Sequence, residues 1–321
     1  MAQPERSRIH IDAPLTNISA ALVQADSNFI AAQYAPLVPV QKQSDKFFSW
    51  DKASYRQPDS ARRGPGTESV GTGHQVSNDS YFCDVWAVHH DVPDQDRDNA
   101  DNPLDLDRDA LVFLTQDMLI RRDLECASAL FADSTWTGST TAGDITVAAT
   151  WDTVASTPIT DIADQQASLL EKTGQLGNTL VLGYDAFKAL RDHEDLLDRI
   201  KYTQRGIITT ELMAALFDVD RVLVARGSYN TEQEGNATAT EDFIFNQKDA
   251  VLLHVAPSPG INVPSAAYIF TWTGHIPNAL GIAAGRFDVP LHRATRIELE
   301  MAFDFKVIDA TLGVKWNDAV A

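Results

Sequence analysis

Residues that announce chemistry are scarce in this chain. Among 321 residues there are two cysteines, Cys83 and Cys126. That is too few for a disulfide scaffold, it suits a reducing compartment, and both thiols read as small buried hydrophobes. No apolar run reaches the length of about eighteen residues that a membrane helix requires. The N-terminus, MAQPERSRIHIDAPL, lacks the apolar centre of a signal peptide. Cations are few: Lys and Arg total 26 against 45 Asp and Glu, for a net charge of −19, with Arg outweighing Lys. So acidic a chain does not grip DNA or an anionic membrane over a broad surface, although local basic patches can still meet partners.

Catalytic signatures are missing as well. The stretch from Gly66 to Thr72, GTESVGT, has the two glycines of a phosphate loop but no lysine before its threonine. GTGHQV at 71–76 lacks the third glycine of a dinucleotide fingerprint, and neither HExxH nor GxSxG occurs. His89 and His90 have no zinc-spaced companions, and Asp192, Glu194, Asp195 and Asp198 read as a solvated helix face. No catalytic residue and no cofactor site is assigned. For a metal the only candidate is DQDRDNADNPLD. Asp94, Asp96 and Asp98 have the 1-3-5 spacing of a calcium loop and Asp105 falls at its twelfth position. Asn99 replaces the turn glycine and Pro103 interrupts the loop. A solvated acidic connection is therefore the reading adopted, with no metal assigned.

What is present is pattern. In RIELEMAFDFKV, from Arg296 to Val307, Ile297, Leu299, Met301, Phe303, Phe305 and Val307 alternate with Arg296, Glu298, Glu300, Ala302, Asp304 and Lys306. A period of two predicts one strand with a dry and a wet face. Twelve residues reach roughly 40 Å, against about 5–6 residues in an ordinary strand. Such a strand suits an elongated structural subunit better than a catalytic domain. Residues 105–133 carry the longest helical pattern. At 100° per residue Leu111, Leu114 and Met118 cluster on one side and Phe113, Ile120, Leu124, Ala127 and Phe131 nearly opposite. Two stripes predict contact on both sides, one with the chain's own sheet and one beneath a neighbour.

The remainder falls into segments. Residues 1–45, punctuated by Pro4, Pro14, Pro36 and Pro39, read as an arm lying on another surface, with a short helix within 16–33 capped at Asn17 or Ser19. Residues 46–80 turn rich in Gly, Ser and Thr and locally basic through Lys46, Lys52, Arg56, Arg62 and Arg63. Too apolar-poor for a core, they read as a projecting hairpin ordered by a neighbour. Between Asp84 and Asp109 nine Asp face only Arg97 and Arg108. From Pro158 the order helix, strand, helix, helix, strand predicts a compact α/β unit.

This order of parts resembles the major capsid proteins of tailed bacteriophages, the Hong Kong 97-type fold. The likeness is carried by YFCDVWAVHHDVPDQDRDNADNPLDLDRDA, TLVLGYDAFKALRDHEDLLDRIK, KDAVLLHVAPSPG before FTWTG, and VIDATLGVKWNDAV. It implies an α+β fold: an N-terminal arm (1–45), an extended E-loop hairpin (46–80), and a peripheral domain (81–157) with its spine helix at 105–133 and long antiparallel strands. An axial α/β domain (158–285) and a return to the peripheral domain (286–321) complete it. It further implies no enzymatic activity. Pentamers and hexamers of the chain itself would form an icosahedral shell enclosing double-stranded DNA without sequence-specific binding. The shell would be assembled in the host cytoplasm and matured into the virion capsid, with no membrane involved. A separate scaffolding protein is expected, because the arm has no room for a long scaffolding helix. A portal is expected too, and a decoration protein is left open. Lys46, Lys52, Arg56, Arg62 and Arg63 are the expected assembly contacts, against an acidic neighbour such as 84–109. The alternatives are an encapsulin-like compartment shell, which shares the fold, and an α/β enzyme with a long insertion.

Overall fold

The computed structural model describes residues 24–50, 56–74, 76–100, 105–139, 143–200, 208–232, 240–260, 263–278 and 281–321. The first elements are α1 (Ala31–Tyr34), β1 (Leu37–Val40), β2 (Ser44–Trp50), β3 (Val76–Phe82), β4 (Asp84–Pro93), α2 (Asp94–Asn99) and α3 (Leu106–Leu130). There follow β5 (Ile145–Thr146), α4 (Pro158–Thr173), β6 (Thr179–Leu182), α5 (Tyr184–Arg191), α6 (Glu194–Ile200), α7 (Thr210–Phe217) and β7 (Arg221–Val224). The last are β8 (Ser228–Asn230), β9 (Glu241–Phe243), β10 (Ala250–Leu253), β11 (Ala267–Trp272), β12 (Ile282–Val289), β13 (Ala294–Val307) and β14 (Gly313–Asn317).

The alternating stretch is β13, extended to 14 residues, roughly 46 Å long. Along one edge β4 pairs with it antiparallel from Pro93 opposite Ala294 to Asp84 opposite Phe303. Along the other, β12 and then β11 share its length, with β1 parallel to β11 beyond. Pro39 is tolerated in β1 because the strand lies at the sheet's edge. Ile297, Leu299, Met301 and Phe303 are buried beneath α3, whose 25 residues run about 37 Å.

The two opposed stripes expected of α3 do not serve two partners: Leu114 and Met118 of the first and Ile120, Leu124, Ala127 and Phe131 of the second all pack in one core. Ala110, Leu114, Met118, Arg122, Cys126 and Leu130, each four residues apart, are all buried. Steps of four advance about 40° round a helix, so the ridge swings roughly 200° between its ends. Its apolar members enter a single core with the sheet and the arm rather than two separate surfaces. Phe113 alone of the second stripe stands well out, 63% exposed.

The arm also departs from expectation. Phe29, Ile30, Ala31, Tyr34 and Ala35 are buried in the subunit's own core, and β1 joins its own sheet. Tyr34 stands edge-on to Phe245 and Phe305, both at 6.3 Å. Among the described residues the arm's α-helix spans Ala31–Tyr34, while Asn17 and Ser19 lie outside them.

The second sheet runs β5-β14-β10-β6-β7. Parallel β6 and β7 need a crossover, supplied by α5 to α7, and α4 covers the same core through Ile162 and Leu169. The chain crosses between sheets repeatedly: β11, β12 and β13 lie in the first, β14 returns to the second. β2 and β3 form a separate hairpin whose base packs through Phe47 and Tyr81 on Phe270, with Tyr81 stacked at 4.6 Å.

Candidate assembly surface

The hairpin is where the expected contacts cluster. In β2, Phe47 turns inward and Phe48 outward, 69% exposed. Residues 56–74 are exposed throughout and have no strand or long helix. Lys46, Arg62 and Arg63 are exposed; Arg63 Nε donates to the Thr67 carbonyl at 2.5 Å. Lys52 lies outside the described residues. Arg56 is engaged with its own chain, donating to the carbonyls of Glu171 and Lys172 at the end of α4, the former at 2.8 Å.

The acidic connection folds as α2 and the N-cap of α3. Alternate residues on a helix lie about 200° apart and residues four apart about 40°, so Asp94 and Asp98 share a face and Asp96 points away from both. Asp105 instead caps α3, its carboxylate accepting the Arg108 N–H at 3.2 Å. Among the described residues no three His, Cys, Asp or Glu side chains are grouped to hold a metal ion. Arg97 bridges Asp107 at 2.7 Å, and Arg286 reaches the same carboxylate at 2.8 Å. Part of the acidity is thus met internally, Asp94 included at 3.5 Å from Arg97, while Asp96 and Asp98 remain on the surface helix.

The sheet's wet face is a charged ladder. Arg296 makes a two-pronged pair with Asp91 at 2.7 and 2.9 Å, and that guanidinium holds the Asp91 carboxyl below its usual range. His89 stands opposite Glu298 in the ladder, and His275 approaches Glu300 at 3.2 Å. On the dry side the guanidinium of Arg121 covers the Trp86 ring at 4.0 Å. Among the described residues no helix is long and apolar enough to cross a membrane.

Two buried polar clusters escaped sequence reasoning. Lys315, 2% exposed on β14, donates to the Phe131 carbonyl and Asp133 at 2.8 Å each and lies 3.4 and 3.5 Å from Asp144 and Asp249. Burial draws its pKa down, but Asp133, Asp249 and Asp144 outweigh that and the net direction is up. Burial pushes the Asp249 carboxyl up. Lys315 thereby ties the end of the spine helix to the second sheet. The available signal was its place in VKW, a lone charge inside an apolar string. The second cluster is Asp123 on α3, fully buried, its carboxylate accepting the Ile30 N–H at 2.9 Å.

One pair imitates a catalytic dyad. Ser156 Oγ and His193 Nε2 are 2.9 Å apart and both residues are buried. His193 Nδ1 accepts the Asp195 N–H at 3.1 Å, which makes Nε2 the protonated nitrogen. The imidazole therefore donates to Ser156, whose hydroxyl donates to the Thr153 carbonyl at 2.7 Å. A base that holds its proton toward the serine does not activate it. The thiols are equally inert: burial, then Asp304 and Asp84, push Cys83 up to about 12, and burial raises Cys126 further.

The family model described as phage major capsid protein E matches residues 129–267. The major capsid protein of Burkholderia phage BcepMu is 24% identical over 226 residues, 70% of this chain and 71% of that one. Among solved structures, a phage-related protein of Bordetella bronchiseptica superposes with a TM-score of 0.71 at 20% identity, covering 92% of this chain and 93% of the other. The mature capsid protein of bacteriophage PhiM1 gives 0.59 at 10% identity over 93% and 88%. Fold, family match and curated relative agree with the resemblance read from the sequence: the chain has the Hong Kong 97-type fold and is similar, over these spans, to phage major capsid proteins.

Proposed function

We propose that the chain assembles as pentamers and hexamers into an icosahedral shell that encloses viral double-stranded DNA, forming in the host cytoplasm with a separate scaffolding protein and a portal. The observation that carries this reading is the pairing of a roughly 46 Å strand with a helix of similar reach, from which a hairpin projects with residues 56–74 exposed throughout. Among its described residues that hairpin adds nothing to the subunit's own core beyond its base. It offers area for an intersubunit contact that a monomer does not need.

In this reading residues 1–45 are the arm, 46–80 the extension, 81–157 the peripheral domain, 158–285 the axial domain and 286–321 the return, with β11 of the axial span lying in the first sheet and β14 of the return in the second. Lys46, Lys52, Arg62 and Arg63 meet acidic residues of a neighbour, chiefly the exposed carboxylates of α2. The net charge of −19 suits a wall that holds DNA without gripping it. The phage family match and the phage relative favour a viral shell over a cellular compartment. Electron microscopy of the purified protein tests the proposal. Closed shells, or rings of five and six, are expected; a stable monomer under every assembly condition overturns it.

A further inference from the structure

We propose that Arg56 straps the extension of the unassembled subunit to its own second-sheet layer, and that this strap must release before the extension can reach a second copy of the chain. The first half stands on the geometry of α4; the second rests on the shell reading above.

A helix leaves its last four carbonyls without intrahelical partners. In α4 the chain turns away at Gly174, whose φ of 73° is left-handed and whose N–H closes on the Leu170 carbonyl at 2.9 Å. The Thr173 hydroxyl takes the Leu169 carbonyl at 2.6 Å. The next two carbonyls, Glu171 and Lys172, are the pair that the Arg56 guanidinium fills with its two terminal nitrogens. Planar fork geometry suits two neighbouring acceptors, and the negative end of the helix dipole favours a cation there. The platform beneath is itself fixed, since Lys172 Nζ donates to the Thr137 and Ser139 carbonyls in the segment leaving the spine helix.

The receptor is backbone at a helix end, so every copy of the chain presents it alike. Arg56 and both acceptor residues are exposed, so the strap forms and breaks in contact with water. It restrains a segment that has no core of its own, from 56 to 74, against the face from which it would otherwise swing. A second copy's surface then competes with the strap for the same extension.

The test keeps Arg56 in place and reads its neighbour. Gln57 and Glu171 are exposed and are replaced by cysteine, while native Cys83 and Cys126 are buried and silent. Unassembled Gln57→Cys/Glu171→Cys protein is treated with a short bis-maleimide and analysed by denaturing gel and peptide mass. An intrachain product is expected. Adding Arg56→Ala should lower its yield about fivefold or more, with Arg56→Lys intermediate because it keeps the charge but not the fork. Interchain products alone, or a yield indifferent to Arg56→Ala, overturn the strap. The cross-linked protein should assemble at least about fivefold more slowly than the untreated double variant; equal rates overturn the restraint on assembly. If the untreated protein forms no shell while the intrachain yield still depends on Arg56, the strap stands and the shell reading falls.

Discussion

Asp123 Oδ2 accepts the backbone N–H of Ile30 at 2.9 Å, so the arm is fastened to the spine helix by a carboxylate with no access to solvent. Burial raises this carboxyl to about 6 from 3.8, against the opposing pull of Arg122 and the N–H groups of Ile30 and Ala31. Folding therefore takes up a proton between those two values. The favourable contribution is complete below about 3.8 and is lost as pH rises through about 6. Asp123→Asn keeps an acceptor for Ile30 and carries no charge. Relative to the parent it should gain roughly 2–3 kcal/mol between pH 3.8 and pH 8, in urea unfolding of unassembled subunits. An effect independent of pH would show that the carboxyl titrates normally.

Lys315 is the second fastening. Removing its ammonium leaves Asp249 and Asp144 buried beside no cation, and the Phe131 carbonyl without its donor. Lys315→Met should cost about 3–5 kcal/mol, the usual penalty for breaking a buried pair from one side. Adding Asp249→Asn, which keeps an acceptor for the Asp318 N–H, should restore a large part of it. Additive losses in the double variant, measured by the same unfolding, would mean that the two side chains do not interact.

What could be read in the sequence was periodic and local. The alternation of β13 holds from Arg296 to Met301, where the dry residues lie beneath α3; beyond Met301 it is lost, Ala302 being buried too and Phe305 standing edge-on to Tyr34 of the arm. The two stripes of α3 were legible, but not that a single core, formed with the sheet and the arm, wraps far enough round the helix to meet both. Pairings across long separations left no local trace. β1 lies parallel to β11 more than two hundred positions away, and this pairing makes the arm part of the sheet. Lys315 looks like a surface lysine until Asp133, Asp144 and Asp249, from three separate segments, surround it. The basic extension was legible as composition, yet Arg56 finds its acceptors in backbone carbonyls, which no side-chain pattern encodes.

Phe113 is 63% exposed on α3, beside Leu111 and Val112 at 38% and 40%, with the His90 ring edge-on at 6.5 Å. An apolar group left this open on a spine helix contributes little to its own fold. Phe113→Ser should change subunit stability by no more than about 0.5 kcal/mol. Shell yield, counted by sedimentation, should fall several-fold if a neighbour covers the site. Lost stability with unchanged yield would return Phe113 to the subunit's own packing.

Arg62 and Arg63 test charge complementarity between copies. Both are exposed, and the only hydrogen bond described for either is that of Arg63 to Thr67 within the same loop, so reversing them disturbs little in the subunit. Across an interface they would face carboxylates such as Asp94, Asp96 and Asp98. Arg62→Glu/Arg63→Glu should leave the unfolding midpoint in place and slow assembly by at least about tenfold at low salt, since like charges then oppose encounter. Raising ionic strength should narrow the gap, because exposed charges are screened over about 10 Å at 0.1 M salt. A companion reversal, Asp96→Lys/Asp98→Lys, should recover part of the lost rate if α2 is the partner. Shells of unchanged yield and stability from the arginine variant would remove the extension's charge from the assembly contact.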